Sequence, residues 1–410
     1  MTTLAGLVTF KRLTNQVGLL DSLEGPDFQK LYGHSLKSIF VAMLIKALMG
    51  CPSLNDFEKQ LAKRPLIGKV AGCATKVGKT VLGRNVKRFK PAFLRETYEN
   101  IIHKLLAQGI VTLRRVAIDC TFIEVFGGTY QKATPGWGPS RTALGYRLAV
   151  VFDLDAKLPV AYILTYGCKH DSQFLRPLME LLEARFGRLP ERVVLDRGFY
   201  GQDFFRYLTE KGVEFEIPVK WYASIEHQAT TLLTRDFTAS RKWNLHYADR
   251  WVAITGYGYL RVIWLTCKTY EEWMPPKTRP KELWGILTNR TDLPPKAVIQ
   301  AYCARWEIEV FFRGLRQRLA LNSLPGRDFR QVQAHIFFVF SAYLLLMLTQ
   351  HLTQSPDDSL YIAVKNIQEQ ALFVTAVIVE KGKEWRLHFT ERGWLYHHFD
   401  RLDLARRDET

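Results

Sequence analysis

Apolar residues follow two different periodicities along this chain, and the change falls near residue 110. Before that point they recur every three or four positions, which is the spacing of amphipathic helices. Three segments show this spacing most clearly, namely Ser35–Met49, a segment that begins at Ser53, and Pro91–Leu106. Two of them open with serine, which caps helices, and one with proline, which suits a first turn. We therefore predict a helical domain over residues 1–110.

From Val111 onward, short apolar runs of strand length replace the helical spacing. Asp171 and Ser172 open a helix that is predicted to end at Gly187, and a second helix is predicted over 200–211. The order of three strands, helix, strand, helix and strand is typical of a mixed α/β fold around one sheet. The predicted strands of this region, residues 111–220, are Leu113–Val125, Tyr146–Asp153, Leu158–Thr165, Arg192–Asp196 and Glu214–Val219.

Residues 221–288 interrupt this layout, because they are rich in Thr, Tyr, Trp and Val and predict β hairpins. We expect them to form a β-rich insertion in the sheet. One long helix is predicted from Pro294 to Leu321, and an apolar helix over 333–351 follows it. These helices assign residues 289–352 to the second part of the core. Residues 353–410 have a mixed pattern and no assigned role.

The charge balance favours a polyanion as the partner. The chain has 57 Lys and Arg against 40 Asp and Glu, which gives a formal net charge of +17. A field of this sign attracts nucleic acid, although some basic enzymes bind none. One segment, residues 76–90, is basic with no acidic residue, and it predicts either a surface that contacts DNA phosphates or a solvated linker. Its candidate phosphate contacts are Lys76, Lys79, Arg84, Lys87 and Arg88.

Several classes of protein are disfavoured by the composition. The six cysteines form no CxxC pair, which predicts reduced thiols in a cytoplasmic protein. The most apolar stretch, Ile336–Leu348, is shorter than the roughly 20 residues that span a bilayer, so we predict a core helix and no membrane partner. A glycine-rich phosphate loop is missing from the sequence, so a nucleotide cofactor is not indicated.

Two aspartates each follow or end an apolar strand. Asp119 comes after Val116–Ile118, and Asp196 ends the run Val193–Leu195. A carboxylate in a buried strand is costly unless it is paired or bound to a metal ion. Each aspartate alone could equally cap a turn. Two of them in adjacent strands favour a site for a hard cation, and magnesium prefers such oxygen ligands.

A third acidic residue lies on the helix predicted after Pro294. Tyr302, Arg305, Glu309 and Arg316 are separated by three, four and seven positions, and this spacing puts them on one face of a helix. The face would carry a hydroxyl for the DNA backbone, two guanidinium groups for phosphates and a carboxylate for a metal ion. The alternative is an exposed helix in which Arg305 and Glu309 form an ordinary ion pair.

This segment resembles the Y-x2-R-x3-E-x6-K signature of the DDE-class insertion-sequence transposases of the IS-four type. Tyr302, Arg305 and Glu309 match it in type and spacing, and Arg316 stands where the family has lysine. Arginine keeps the charge but replaces a point contact by a planar fork. Further similarity to the family lies in Ala117–Thr121, His170–Ser172 and Val194–Tyr200, within a region from Val111 to Leu321.

The resemblance implies a ribonuclease-H-like catalytic core with a β-rich insertion and a helical N-terminal DNA-binding domain. It implies that Asp119, Asp196 and Glu309 hold two Mg²⁺ ions, which Mn²⁺ can replace. The implied activity is cut-and-paste transposition by a homodimer on double-stranded DNA, including element ends and target, with hairpin ends in the best-known members. Trp284 would then be the residue on which a flipped base stacks, unless it is simply a core residue. Its rivals are Trp243, Trp251, Trp264 and Trp273.

Two other functions remain open from the sequence. A metal-dependent nuclease of the same fold would cut DNA without joining it. A DNA-binding derivative would keep the fold without catalysis, and the presence of all three carboxylates weakens that alternative.

Overall fold

The chain forms two compact units, which we call the helical unit and the sheet unit. The helical unit comprises Met1–Ile110, Ile123–Tyr146 and Phe311–Thr410, and the sheet unit comprises Val111–Phe122 and Arg147–Val310. The computed structural model describes residues 13–15, 17–23, 33–73, 77–127, 129–138, 141–232, 234–240, 244–266, 283–352, 376–381 and 384–389.

Three helices in the N-terminal part of the helical unit begin where the sequence predicts, at Ser35, Ser53 and Pro91. The Ser35 hydroxyl accepts a hydrogen bond from the Ser38 backbone N–H at 3.0 Å, and Ser53 caps the next helix through the Asp56 N–H at 3.0 Å. Proline opens two further helices. These helices are α1 (Leu36–Leu48), α2 (Leu54–Lys63), α3 (Pro65–Val70), α4 (Lys79–Val86) and α5 (Pro91–Ala107).

A long apolar helix, α11 (Phe329–Leu352), lies in the core of the helical unit. The Phe40 ring of α1 packs edge-on against Phe337 and Phe338, with ring centroids 5.6 and 5.0 Å apart. The helix is longer than the predicted apolar run and could span a membrane by length and composition. Because 89% of that apolar window is buried in the structure, it has the environment of a core helix.

Strands also occur at two places in the helical unit. The short strand β2 (Thr134–Trp137) pairs antiparallel with the first residues of β3 (Thr142–Asp153), and Val125 donates to the Leu144 carbonyl at 2.9 Å. In the C-terminal region, β11 (Ala376–Lys381) and β12 (Glu384–Phe389) form an antiparallel pair.

The sheet unit is built on a mixed sheet with helices, as the alternation of patterns predicts. In sheet order, β4 pairs with β3, and the neighbours then run β3, β1, β5, β6, β10, β9, β8 and β7. Its further strands are β1 (Arg115–Glu124), β4 (Leu158–Tyr166), β5 (Arg192–Leu195), β6 (Glu214–Pro218), β7 (Thr238–Ser240), β8 (Leu245–Ile254), β9 (Gly258–Thr266) and β10 (Trp284–Thr288). The helices are α6 (Leu175–Phe186), α7 (Gln202–Glu210), α8 (Ala223–Thr230), α9 (Pro295–Cys303) and α10 (Trp306–Arg318), the last of which continues into the helical unit.

The register of the central strands decides where the candidate site lies. β1 runs parallel to β5 with Ile118 opposite Leu195, and β5 runs parallel to β6. Asp119 directly follows Ile118 in β1, and Asp196 directly follows Leu195, the last residue of β5. Because the strands are parallel neighbours, Asp119 within the longer β1 comes beside Asp196, which follows the last residue of the shorter β5.

Residues 221–288 extend this sheet rather than leaving it. β10 pairs antiparallel with β6 and with β9, so β7 to β10 continue the same layer of strands. The segment also contains the helix α8, which the sequence pattern did not predict. Residues 267–282 lie outside the described part of the chain.

The prediction of one helix from Pro294 to Leu321 was wrong, because the helix breaks at Ala304 and Arg305. The physical reason is the placement of apolar residues. α9 buries Val298 and Ile299 against β9 and β10, whereas α10 buries Ile308 and other apolar residues further along. These two sets fall on different faces of one continuous helix, so a turn is needed to bury both.

Candidate active site

Two neighbouring strands and the first turn of a helix supply the acidic residues of the candidate site. Asp119 interrupts β1, and Asp196 follows β5 at the start of a short 3-10 turn, Arg197–Phe199. Glu309 lies in the first turn of α10. All three belong to the sheet unit, and their action as one metal site stays a prediction.

Arg305 connects the carboxylates of two of these elements. One guanidinium nitrogen, Nη1, lies 3.6 Å from Asp119 Oδ2, and Nη2 donates a hydrogen bond to Glu309 Oε1. The side chains of Arg305 and Asp119 are only 15% and 14% exposed, so this pairing is shielded from water. The turn between α9 and α10 gives Arg305 this position. Arg305 and Glu309 therefore form the i,i+4 ion pair of the alternative interpretation, although Arg305 is largely buried. The metal-binding role of Glu309 stays a prediction.

The carboxylate of Asp119 carries negative charge that its neighbours do not fully compensate. Burial raises its pKa to about 7, and the charges of Asp196 and Asp171 add to the rise. The Cys120 backbone N–H, which donates to Asp119 Oδ1 at 2.7 Å, and Arg305 act in the opposite direction. A second cation near Asp119 would relieve this electrostatic cost.

The donor chemistry of these residues fits a divalent cation. Their carboxylate oxygens are hard ligands from rigid elements, which suits Mg²⁺ or Mn²⁺. In the described residues, however, no three His, Cys, Asp or Glu side chains are grouped closely enough to hold a metal ion as they stand. The Arg305 guanidinium contacts the carboxylates of both Asp119 and Glu309.

Tyr302 lies one turn before Arg305, at the end of α9. The Arg305 guanidinium is 5.9 Å from the centre of its ring. Burial raises the pKa of the Tyr302 hydroxyl, the charge of Asp196 also raises it, and Arg305 and Arg197 lower it. Tyr302 is therefore part of the same electrostatic neighbourhood as Asp196.

Trp284, at the start of β10, packs beside this tyrosine. Their ring centroids are 6.1 Å apart, and Trp284 also borders a core cluster that includes Ile286 and Val298. Of its rivals, Trp251 is 56% exposed on β8, whereas Trp264 is 1% exposed in the core. Trp243 and Trp273 lie outside the described residues.

The family follows from the sequence match to the catalytic region. The model of the transposase DDE domain matches residues 112–345, which is more than half of the 410 residues. The chain belongs to the transposase DDE domain family. The predicted membership of the DDE-class insertion-sequence transposases is thereby confirmed.

Two known proteins are similar to this DDE-family chain over different extents. "Putative transposase y4zB" from Sinorhizobium fredii (strain NBRC 101917 / NGR234) is 33% identical over 69 residues. The match covers 17% of the present chain and spans about a fifth (19%) of the length of that relative. The piggyBac transposase synaptic complex with hairpin DNA, determined by cryo-EM, has a TM-score of 0.48 and 9% sequence identity, covering 89% of this chain and 77% of that one.

The remaining residues predicted to contact DNA lie in the helical unit of this DDE-family protein. Arg316 is exposed on the later part of α10. The basic segment is not a linker, because residues 79–86 form the helix α4. Its described basic residues, Lys79, Arg84, Lys87, Arg88 and Lys90, are all exposed, and Lys76 lies outside the described residues.

Some of these basic side chains already have partners within the protein. Lys79 donates to the Asn55 side chain at 3.1 Å, and Lys87 forms an ion pair with Asp328 at 3.4 Å. Such exposed contacts are weak and exchange readily with phosphate contacts. Binding of DNA by this surface stays a prediction.

One acidic neighbour of the site was missed by the sequence analysis. Asp171, the first residue after His170, contributes to the electrostatics of Asp119. His170 itself caps the turn that follows, with its Nδ1 2.8 Å from the Ser172 hydroxyl, as a local hydrogen-bonding residue. An aspartate at the start of a helical turn predicts only a cap, so the spacing alone gave no signal of this proximity.

Proposed function

We propose that this protein is a DNA transposase that cleaves the ends of its insertion element and joins them to target DNA. The observation that carries the proposal is that two aspartates lie side by side on neighbouring parallel strands, where Arg305 links one of them to a helical glutamate. Converging carboxylates of this kind serve phosphoryl transfer with divalent metal ions. Membership of the transposase DDE domain family supports the same interpretation.

We also propose that the sheet is a ribonuclease-H-like core with a β-rich insertion. In support, β4, β3 and β1 are neighbours at one side of the sheet, with β5 and β6 added parallel to β1. The strands β7 to β10 lie in the chain between this core and the helix that carries Glu309. The helical N-terminal part, residues 1–110, is proposed to bind the element ends.

Asp119, Asp196 and Glu309 are proposed to hold two Mg²⁺ ions, which Mn²⁺ can replace. When bound, such ions activate the attacking oxygen and stabilise the charge that develops on the phosphate. Arg305 keeps two of the carboxylates together, and its planar fork also suits a pair of phosphate oxygens. Tyr302 is proposed to donate its hydroxyl to the DNA backbone, and Arg316 is proposed to contact a phosphate further along α10.

Trp284 is proposed as the stacking residue for a flipped base, in a reaction that passes through hairpin ends. In support of this role, the Trp284 ring packs against that of Tyr302, with centroids 6.1 Å apart. Stacking of a base on an aromatic ring contributes about 1–3 kcal/mol, which offsets part of the cost of flipping. The protein is further proposed to act in the cytoplasm as a homodimer on double-stranded DNA, because joining two ends requires that both be held together.

The products formed from end DNA test the function. Purified protein is incubated with a labelled duplex carrying the inverted repeat that flanks the gene, a target plasmid and Mg²⁺, with EDTA in a parallel reaction. We expect metal-dependent cleavage and covalent joining of the labelled end to the plasmid. Cleavage without joined product would indicate the nuclease, and binding without cleavage would indicate the silent derivative.

A further inference from the structure

Two exposed side chains, Lys220 and Tyr222, come directly after β6 and belong to the sheet unit. We infer that they hold the cut end of the DNA, with the Tyr222 ring stacked on the terminal base and the Lys220 ammonium against a backbone phosphate. The inference rests on the proposed function and extends it to the product of the first cut, which must stay bound until it is joined to target DNA.

The sheet places these two residues beside Asp196. β6 runs parallel to its neighbour β5, so both strands end at the same side of the sheet, and Asp196 directly follows β5. The chain stays paired for one residue after β6, where the Val219 N–H donates to the Gly285 carbonyl at 2.8 Å. Lys220 and Tyr222 therefore leave the sheet at the side that carries the proposed metal ligands.

Tyr222 presents its ring to solvent on a support of other aromatic rings. The residue is 47% exposed, and its ring centroid lies 5.8 Å from that of Tyr200. Tyr200 packs edge-on against Phe205, a core residue with 0% exposure, at a centroid distance of 5.0 Å. These contacts hold the exposed ring in place, so that a base can stack on it with little further loss of side-chain entropy.

Two cations accompany this ring. The Lys220 ammonium lies 5.6 Å from the centre of the Tyr222 ring, and Arg197 is exposed on the turn that follows Asp196. Within the part of the chain that the structure describes, neither Lys220 nor Arg197 forms an ion pair with an acidic side chain. An exposed aromatic face next to basic side chains is the combination that binds DNA bases and phosphates together.

The ring can distinguish a cut end from uncut DNA. Inside a duplex each base is covered on both faces by its neighbours, so a protein ring reaches a base face only when the base is flipped out or terminal. Cleavage leaves a terminal base pair with one open face. Stacking of a base on an aromatic side chain raises the affinity by about 5-fold or more. Tyr222 should therefore favour the cut end by this factor.

The affinities for cut and uncut end DNA test the inference. Fluorescence anisotropy in EDTA compares a labelled duplex that stops at the outer base pair of the inverted repeat with one that continues into flanking DNA. Wild-type protein should bind the cut duplex about 5-fold or more tightly than the uncut one. Tyr222→Ala should lose this preference and keep the wild-type Kd for the uncut duplex. Tyr222→Phe retains the ring and should retain the preference.

Matched variants control for each side chain. Tyr259→Ala removes a tyrosine that is 70% exposed at the start of β9, and it should bind both duplexes like wild type. Lys220→Gln should reduce the slope of log affinity against log salt by about 1 on both duplexes, because a phosphate contact is lost. Lys211→Gln changes an exposed lysine at the other end of β6 and should leave the slope unchanged.

Equal affinity of wild-type protein for the two duplexes would overturn the inference. A Tyr222→Ala variant that keeps the preference, or loses affinity for both duplexes alike, would overturn it as well. Loss of the preference in Tyr222→Phe would assign the contact to the hydroxyl and exclude stacking. Because these measurements involve no metal ion and no reaction, wild-type protein that prefers the cut duplex but neither cleaves nor joins DNA would refute the proposed function alone.

Discussion

Arg305 lies in the break between α9 and α10. From this position its positive charge contacts two carboxylates. Its guanidinium contacts Asp119 and Glu309, which would otherwise repel each other in a partly buried site. The planar guanidinium of arginine can donate to both carboxylates at once, whereas the single ammonium group of lysine cannot do so with the same geometry.

Arg305→Lys should therefore weaken both the site and the protein. We expect a loss of about 1–2 kcal/mol in the free energy of unfolding, measured by urea denaturation, because one carboxylate loses a charged hydrogen bond. Arg313→Lys changes the same residue type on an exposed position of α10, and it should stay within about 0.5 kcal/mol of wild type. Equal stability of both variants would show that the fork is not needed.

Glu216 is a second buried carboxylate, on β6, and it makes stability depend on pH. Burial raises its pKa from 4.5 to about 8, Glu214 adds to the rise, and the Arg115 charge lowers it. The Nε atom of Arg192 lies 3.6 Å from one of its oxygens. The folded protein therefore favours the protonated acid more than the unfolded chain does.

The sign of the resulting pH dependence follows from linkage. The stabilising contribution of protonated Glu216 is complete below about pH 4.5 and is lost as the pH rises towards 8. Glu216→Gln, which stays neutral, should gain stability relative to wild type across this range. The measurement is the free energy of unfolding at several pH values, and a constant difference between the two proteins would contradict the account.

At the scale of elements, local signals predicted most helices and strands. Serine caps and N-terminal prolines marked the starts of α1, α2 and α5, and short apolar runs marked the strands to within a few residues. The positions of Asp119 and Asp196 beside apolar runs and of Glu309 on a helix follow from such local signals. That the three residues share a metal site stays a prediction.

Features that depend on packing were not predictable in the same way. The break at Ala304 involves no glycine or proline, and it follows from apolar faces that point in two directions. Asp171 reaches the site through residues far from it in sequence, namely Arg147 and Gly198. Both features depend on tertiary contacts, which single-sequence patterns do not contain.

The junction between α1 and α10 in the helical unit gives a test at this scale. Gly50 follows α1 with a φ of +60°, and a Cβ there would lie 2.3 Å from the Arg318 carbonyl oxygen. Gly50→Ala should cost about 1 kcal/mol for the backbone and a further ~1–3 kcal/mol for the clash. The cost is measured as the change in unfolding free energy in urea.

Gly109→Ala is the matched control for this prediction. Gly109 has a similar φ of +71°, but no atom lies within 4 Å of its added Cβ. It should lose only the backbone contribution of about 1 kcal/mol. If both variants lost the same stability, the close approach of α1 to Arg318 would play no part.

At the scale of the whole molecule, the net charge of +17 is the property that most affects binding to DNA. Neutralising a basic residue that contacts a phosphate reduces counterion release, so the salt dependence of the affinity becomes shallower. The basic segment, residues 76–90, has exposed basic residues on and after α4. We predict that these residues contribute to the salt dependence of DNA binding.

Replacement of Lys79 and Arg84 by alanine should reduce the slope of log affinity against log salt by about 1 per residue. Fluorescence anisotropy with labelled duplex at several salt concentrations measures this slope. Lys63→Ala, an exposed lysine at the end of α2, changes the charge outside the segment and should leave the slope nearly unchanged. Equal slopes for all proteins would exclude α4 from the DNA surface.

The central claim is that Asp119, Asp196 and Glu309 act together in cleaving DNA, and Glu309→Gln tests it most directly. Its matched control is Glu307→Gln, two residues away on the same helix, whose ion pair with Lys157 lies outside the proposed catalytic set. Single-turnover cleavage of end DNA with Mg²⁺ is measured together with the affinity for that DNA. The account predicts that Glu309→Gln binds normally and does not cleave, while Glu307→Gln does both. Normal cleavage by Glu309→Gln would contradict it.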